Sequence, residues 1–294
     1  FRHPNKILAS YSLNTLTLFI HLSDEYLERC LSLNLIQEIE NVAIFPNEMV
    51  VDNEVQYQCY KSVAKSIIYL SHINSLTKNE TYSQIFLHIS HLMLFSDIPV
   101  LNKYGLEILN CMIDSSDRDS LPFEINEEVA MQFLNFADTA PDFVLNNMFE
   151  LIMNYDYSKL EDFLIGNGFF IKLIQRIEED SRYTMMIFRF LDAVEYHPEA
   201  DDPIIPKLIG IIANGTRENR TAGLKNIHTL MISMPPEFCV FLACNGIIAA
   251  LCVELDEKIE ITNEILVMIS KLVNCLIAKG IDLADVEQLP DLQE

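Results

Sequence analysis

A histidine pair and a glycine pair are the residues of this sequence whose types and spacing come nearest to known chemistry. His88 and His91 are three residues apart, so on a helix they would share a face, as two metal ligands do. No cysteine or carboxylate stands at a supporting position nearby, which favours a structural role. Gly166 and Gly168 flank Asn167 without a preceding strand, so this stretch predicts a turn between helices.

Catalytic motifs of useful specificity do not occur in the sequence. It contains no P-loop, no GxSxG elbow, no HExxH and no dinucleotide-type glycine loop. Carboxylate pairs such as Glu178-Glu179 and Asp201-Asp202 are expected in so acidic a chain and indicate a solvated face. We therefore expect a non-catalytic protein that holds neither a metal nor a cofactor.

Composition points to an all-helical protein. Half of the 294 residues are apolar, only 8 are glycine, and tryptophan is absent. Leucine and isoleucine recur at helical spacing, and an alternating strand pattern is hardly seen. The helices that carry this spacing are the elements that must position any functional side chain.

The net charge limits the class of partner. The 43 acidic residues exceed the 20 basic ones, which gives a formal charge of −23. Such a field repels phosphate backbones and anionic lipids and attracts basic proteins. Nucleic-acid and membrane binding are disfavoured, and two readings stay open: a basic protein or peptide partner, or an acidic surface that serves solubility alone.

Cysteine usage and hydropathy indicate the cellular compartment of the protein. The 7 cysteines form no CxxC motif and stand mostly among apolar residues, as in proteins of a reducing compartment. No segment is long and apolar enough to cross a bilayer. We expect an intracellular protein, cytoplasmic or nuclear. The chain begins at Phe1, as a fragment or a processed chain would, and the oligomeric state stays open.

An apolar triplet with i, i+3, i+6 spacing recurs along the chain at an even interval. The steps between first members are 42, 39, 42, 37 and 42 residues, which is typical of a helical solenoid. The triplets are Ala64/Ile67/Leu70, Leu106/Leu109/Met112, Leu145/Met148/Leu151, Ile187/Phe190/Ala193, Leu224/Ile227/Leu230 and Leu266/Ile269/Leu272, and a weaker seventh lies at Leu16/Phe19/Leu22.

Three of the long helices are preceded by a pair of short ones. The first short helix of each pair is predicted to stop at a residue that tolerates positive φ: Asn34, Gly168 and Gly246. Pro235-Pro236 suits the first turn of a short helix. The predicted unit is therefore a short helix, a turn, a short helix, a loop and a long helix.

This pattern resembles the armadillo repeat, a three-helix unit of about forty residues. The nearest matches are NGIIAAL at 245–251 followed by ITNEILVMISKLV, and NGFFIKLI at 167–174 followed by YTMMIFRFLDAV. The resemblance implies an all-α, right-handed α-solenoid of about six armadillo- or HEAT-like repeats. We expect one domain over 1–294, with repeats over 24–278 and an acidic tail over 279–294; two-helix HEAT-type repeats stay an alternative for 75–140.

The resemblance also implies a partner-binding groove lined by the long helices. In its nuclear-import members, Trp and Asn four positions apart on that helix hold a basic peptide. The matching positions here are Lys65/Tyr69, Glu107/Cys111, Asn146/Glu150, Phe188/Asp192, Lys225/Thr229 and Val267/Lys271. No Trp/Asn pair is present, and the predicted groove residues are Glu107, Glu150, Asp192, Asn146, Phe188 and Tyr69.

The function predicted from these patterns is a protein-protein interaction scaffold or adaptor. It would bind a protein or peptide partner along the concave face, steered by negative potential. Two alternatives stay open: a nuclear-transport cargo adaptor, and a structural repeat segment of a larger cytoskeletal or regulatory assembly.

Overall fold

Helices form the regular structure of this protein. The computed structural model describes residues 6–20, 23–43, 53–114, 123–155, 157–178, 181–198, 202–256 and 262–281. These ranges contain seventeen α-helices and one short 3-10 helix, and no strand occurs within them. The all-α prediction is confirmed.

The chain divides into two compact units, Phe1–Leu164 and Ile165–Glu294. The described helices of the first unit are α1 (Lys6–Ile20), α2 (Asp24–Ser32), α3 (Leu35–Ala43), α4 (Asn53–Ser71), α5 (Asn74–Thr77), α6 (Glu80–Leu94), α7 (Pro99–Asp114), α8 (Glu127–Thr139), α9 (Asp142–Tyr155) and a 3-10 helix (Tyr157–Lys159). The prediction of a single repeat domain over 1–294 stays a prediction.

The point of division lies within α10 (Glu161–Gly166), and the second unit begins there. Its described helices are α11 (Phe169–Gln175), α12 (Arg182–Ala193), α13 (Ile204–Asn214), α14 (Arg217–Ser233), α15 (Pro236–Cys244), α16 (Ile247–Asp256) and α17 (Thr262–Ala278).

The three predicted turns between short helices are confirmed. Asn34, Gly168 and Gly246 have φ of 60°, 73° and 90°, and each lies between two short helices. Positive φ ends a helix because it turns the chain out of the helical path, and glycine or asparagine adopts it at the lowest cost. Pro235 and Pro236 begin α15, where a missing N–H leaves no carbonyl without a donor.

Three stretches have the predicted order of two short helices and a long one: α2–α3–α4, α10–α11–α12 and α15–α16–α17. The rest of the chain departs from it. The pairs α8–α9 and α13–α14 are two-helix hairpins, and α5 is a single turn before α6 and α7. A uniform three-helix unit is therefore wrong for these stretches, since no positive-φ residue interrupts α6, α8 or α13.

Polar side chains fix the starts of several helices. Asn79, Asn126, Ser181 and Thr216 occupy the position before α6, α8, α12 and α14, and each side-chain oxygen accepts a hydrogen bond from a backbone N–H of the first turn. These caps satisfy donors that have no partner inside the helix. They set the register in which each helix turns its apolar face inward.

Most of the predicted triplets lie in the core. Those of α4, α7, α9 and α14 are buried at all three positions, with exposed fractions of 4% or less. In α12, Ile187 and Phe190 are buried but Ala193 is exposed at the end of the helix.

The predicted register of α17 is wrong. Leu266 is 49% exposed, whereas the neighbouring Ile265 is fully buried together with Met268, Leu272 and Leu276. This helix is apolar on more than one face, so its sequence fits two registers and only packing selects one. The weaker seventh triplet fails likewise, because Phe19 of α1 is 53% exposed.

Long helices pack on one another in chain order within the first unit. Helix α4 lies between α1 and α7, and α7 also packs against α6 and α9. Asn110 of α7 donates to the backbone oxygen of Asn147 of α9 at 3.2 Å, and Asn154 donates to the Asn110 side chain at 3.4 Å. The helices that carry the second and third triplets are thus direct neighbours.

In the second unit, α14 packs against both α12 and α13, and α13 also contacts α16. Lys207 of α13 donates to the carbonyl oxygens of Ile177 at 2.6 Å and Gln175 at 3.2 Å. These carbonyls follow the end of α11, where no helical donor remains. A single lysine therefore fixes α13 against the end of α11.

The predicted acidic tail over 279–294 lies outside the described residues from 282 onwards.

Candidate functional site

The first unit presents two of the predicted groove carboxylates on neighbouring helices. Glu107 lies on α7, where its side chain is 28% exposed and its carboxylate is 3.0 Å from the ammonium of Lys103. Glu150 and Asn146 are both exposed on α9, the helix that packs against α7. An i,i+4 pair on a helix surface, such as Lys103–Glu107, stabilises the helix by about 0.3–0.5 kcal/mol.

Cys111 occupies a predicted groove position on α7, one helical turn after Glu107. Burial above all, with smaller contributions from the negative charges of Asp114, Glu107 and Glu150, raises the pKa of its thiol to about 11, against one lowering hydrogen bond with Ser71.

Cys111 also lies beside a histidine, because its sulfur is 3.4 Å from Nε2 of His72. A cysteine–histidine contact is the geometry of a nucleophilic pair, but such a nucleophile requires a lowered thiol pKa. Here burial and three carboxylates raise the pKa of Cys111. The contact thus contributes to the packing of the end of α4 against α7. It does not stabilise a thiolate.

Tyr69, the predicted groove residue of α4, is half-buried and packs against the core of the first unit. Glu107 is likewise half-buried, whereas Asn146 and Glu150 are exposed. We define the α7–α9 acidic face as Glu107, Asn146 and Glu150.

In the second unit, α12 and α14 run side by side in the same direction. The Asn219 side chain donates to the backbone oxygen of Ser181, just before α12, at 3.0 Å. Further along, a Cβ added to Gly223 would lie 3.6 Å from the ring of Phe188. This is an ordinary van der Waals distance, so the two helices pack in direct contact at this point.

A cavity of about 550 Å³ opens between these two helices. It is lined by Phe188 and Asp192, both predicted groove residues, and by Lys225 from the next predicted pair. Phe188 is only 1% exposed, so it forms part of the core beneath the surface, whereas Asp192 is exposed. The remaining lining is Met185, Arg189, Arg217, Glu218, Thr221, Ala222 and Asn226.

The charge of this α12–α14 cavity is opposite in sign to that of the whole chain. Three cations, Arg189, Arg217 and Lys225, face two carboxylates, Asp192 and Glu218. All five side chains are exposed, and no ion pair is recorded among them within the described residues. The predicted groove carboxylate Asp192 is therefore surrounded by more basic than acidic side chains.

Asn226 is the one buried polar residue of the cavity lining. It is 4% exposed, and its buried Oδ1 has no hydrogen-bond donor. Buried amide oxygens are nearly always paired, because leaving one unpaired costs about 1–3 kcal/mol.

The last predicted pair, Val267 and Lys271, lines an apolar surface pocket of about 660 Å³ on α17. Val267 is 62% exposed, and Leu266 beside it is 49% exposed. The lysine is engaged within the unit, since its ammonium donates to the Met231 carbonyl. This pocket therefore offers a hydrophobic surface with little available charge.

The two histidines of α6 lie in different environments. His88 is exposed, whereas Nε2 of His91 is 3.6 Å from the carboxylate of Glu128. The residues that the structure describes contain no group of three or more potential metal ligands. Among the described helices, none is long and apolar enough to span a bilayer.

Sequence reasoning missed the basic lining and the buried amide of the α12–α14 cavity. Arg189 follows the predicted Phe188, and Asn226 precedes the middle residue Ile227 of its triplet. An asparagine inside an apolar register is itself a signal, because burial of an amide requires a partner. That signal was available at Asn226, but only the structure shows that its buried Oδ1 has no donor within the fold.

Comparison with known proteins assigns no family. Neither a protein-family model nor a curated protein matches this chain. The functional conclusion therefore depends on the chain's own residues.

Proposed function

We propose that this protein is a non-catalytic scaffold that binds a partner protein along the exposed faces of its long helices. The helices would belong to armadillo- or HEAT-like repeats. The proposal includes an intracellular location, cytoplasmic or nuclear.

The observation that carries the proposal is the direct packing of α7, which carries Glu107, against α9, which carries Glu150. These residues come from helices 39 positions apart in the repeat pattern, and α7 and α9 pack side by side. Packed helices lie roughly 8–10 Å apart, a spacing that suits successive lysine or arginine side chains of an extended segment. The α7–α9 acidic face would thus bind a basic stretch of the partner, in agreement with the net charge of −23.

Affinity capture with matched charge variants tests this proposal. Three full-length baits are compared at moderate salt: wild type, Glu107→Lys/Glu150→Lys, and the control Glu28→Lys/Glu124→Lys. Both control positions are exposed carboxylates of the same unit, so the two variants have the same net charge. The partner retained by wild type is then purified and titrated against each bait.

We expect the partner to bind wild type and the control alike and to bind Glu107→Lys/Glu150→Lys at least about tenfold more weakly, since like charges replace attraction by repulsion. Equal binding to the two variants would show that only the overall field matters and would refute the acidic face. A captured set that is identical for all three baits would refute the proposal as well.

A further inference from the structure

Two lysines determine how the last described helix, α17, packs against α15. Lys271 of α17 donates to the Met231 carbonyl, which lies before α15. Lys279, just after α17, pairs at 2.8 Å with Glu237 in the first turn of α15. Cys275 lies four residues from each lysine, so it shares their side of the helix and faces α15.

Cys239 is the residue of α15 that faces Cys275. It follows Glu237 by two residues, and its thiol donates at 3.9 Å to the same Met231 oxygen that accepts from Lys271. The two thiols form a hydrogen bond with each other. A disulfide requires the sulfur atoms to close to about 2.0 Å, which is a short movement for side chains already in contact.

The two thiols differ in their access from solvent. Cys239 is fully buried, whereas Cys275 is half-buried and lines the apolar pocket of about 660 Å³ on α17. Burial above all raises the pKa of the Cys239 thiol, with a smaller raising contribution from Cys275 and a lowering one from the charge of Lys271. A small reagent in the pocket therefore meets Cys275 first, and the protonated Cys239 thiol behind it reacts second.

We propose that Cys275 and Cys239 form a reversible disulfide when hydrogen peroxide enters the α17 pocket. The Cys275 sulfur attacks one peroxide oxygen, so that an S–O bond forms, the O–O bond breaks and the thiol proton leaves with the other oxygen as water. The Cys239 sulfur then attacks the resulting sulfenic acid, the S–S bond forms, and the S–O bond breaks to release a second water with the Cys239 proton. Two thiols are thus oxidised to one disulfide while the peroxide is reduced to two waters.

This chemistry is compatible with a reducing compartment, where disulfides are transient and serve catalysis or redox sensing. The oxidised form would join α15 to α17 covalently, and a dithiol would reverse it by thiol–disulfide exchange. The inference does not rest on the scaffold function, because neither cysteine belongs to the α7–α9 acidic face.

Peptide mapping of the full-length chain tests the inference. The reduced protein is treated with hydrogen peroxide, the remaining thiols are blocked with iodoacetamide, and the digest is analysed by mass spectrometry without reduction. We expect a cross-link between the peptides that contain Cys239 and Cys275, with a loss of about 2 Da for the two hydrogens removed. Dithiothreitol should abolish it.

Cysteine variants separate the roles of the two thiols. Cys239→Ala should leave Cys275 as a sulfenic acid that dimedone labels, whereas the wild type should take up little dimedone because Cys239 consumes the sulfenic acid. Cys275→Ala should abolish the cross-link and leave the buried Cys239 unlabelled. The matched control Cys244→Ser removes an exposed thiol of the same helix and should form the cross-link as readily as the wild type.

Accumulation of sulfenic or sulfinic acid at Cys275 in the wild type, without the cross-link, would overturn the inference, since the Cys239 sulfur would then be out of reach. So would a Cys275 that peroxide leaves unmodified, or cross-links that join Cys275 to other cysteines. Circular dichroism of each variant checks that its helices are intact. The mapping of the wild type decides the question even if a variant fails to fold.

Discussion

Gly105 of α7 lies directly against the backbone oxygen of Ser90 on α6. A Cβ added to this glycine would stand 2.8 Å from that oxygen and 2.9 Å from the backbone nitrogen of Leu94. Both atoms belong to the backbone, so a rotamer change cannot relieve the contact. The close approach of α6 and α7 therefore depends on the absence of a side chain at this position.

We expect Gly105→Ala to lower the free energy of unfolding by about 2–3 kcal/mol, because the helices must separate to admit one methyl group. Urea titration monitored by circular dichroism measures the change. Gly210→Ala is the matched control in the interior of α13, where nothing lies within 4 Å of the added Cβ. It should raise the stability by about 0.5–1 kcal/mol, since alanine is the better helix former. If both substitutions changed the free energy of unfolding by a similar amount, helix propensity alone would account for the effect, and the close contact at Gly105 would not contribute.

The buried asparagines Asn102 and Asn226 are expected to respond oppositely to alanine. The Asn102 side chain donates to three carbonyl oxygens at the end of α6, those of Met93 at 3.2 Å, Leu94 at 2.9 Å and Ser96 at 2.7 Å. Asn102→Ala removes all three hydrogen bonds, although Ser96 N–H still donates to the Met93 carbonyl and Gln132 to the Leu94 carbonyl, and should cost about 1–2 kcal/mol. Asn226→Ala removes an unpaired acceptor and should raise the stability of the free protein by up to about 1 kcal/mol.

Thermal and urea unfolding of both asparagine variants supply the measurement. A loss of stability in Asn226→Ala comparable to that of Asn102→Ala would mean that Asn226 is paired within the fold.

Cys111 should resist alkylation at neutral pH. Burial and its three neighbouring carboxylates raise the pKa of its thiol to about 11. The thiolate is the reactive form, so at pH 8 its population is about 100-fold below that of a thiol with the ordinary value of 9.0. Mass spectrometry after a timed iodoacetamide pulse should find exposed Cys244 modified well before Cys111.

The same thiol reports on the acidic face. Glu107→Gln/Glu150→Gln removes two negative charges that disfavour the thiolate, so the pKa of Cys111 should fall and its alkylation should accelerate. Glu28→Gln/Glu124→Gln is the matched control. An unchanged rate in the first variant would show that the two glutamates lie too far from the sulfur to form one face.

Glu237 and Lys279 link the start of α15 to the residue after α17. Their charged atoms are 2.8 Å apart, and the hydrogen bond from Lys279, with a backbone hydrogen bond and the ammonium charge, lowers the pKa of Glu237 below its ordinary value of 4.5. A lowered carboxyl pKa stabilises the fold above the ordinary value, and this contribution is lost as pH falls through the folded pKa.

Lys279→Met should return the pKa of Glu237 towards 4.5, as a carboxyl-carbon NMR titration would show. Added salt should do the same in the wild type, because the pair is exposed to solvent. A pKa that stays low in Lys279→Met would assign the shift to the backbone hydrogen bond alone.

The sequence by itself determined the helical class and the chain reversals. Apolar triplets at i, i+3, i+6 spacing, few glycines and the residues Asn34, Gly168 and Gly246 predicted helices and turns that the structure contains. These features are local: a capping side chain or a positive-φ residue acts within a few positions of itself. Helical spacing is local as well, and four of the predicted triplets are buried at every position.

Only the tertiary structure decided the register of α17, the two-helix hairpins and the sign of charge in the α12–α14 cavity. Leu266 and Ile265 are equally apolar, so burial of one and exposure of the other depends on which helices surround α17. Likewise, Arg189, Arg217 and Asn226 are brought to one cavity by the packing of α12 on α14. Distances across helices follow from packing, which one-dimensional spacing does not encode.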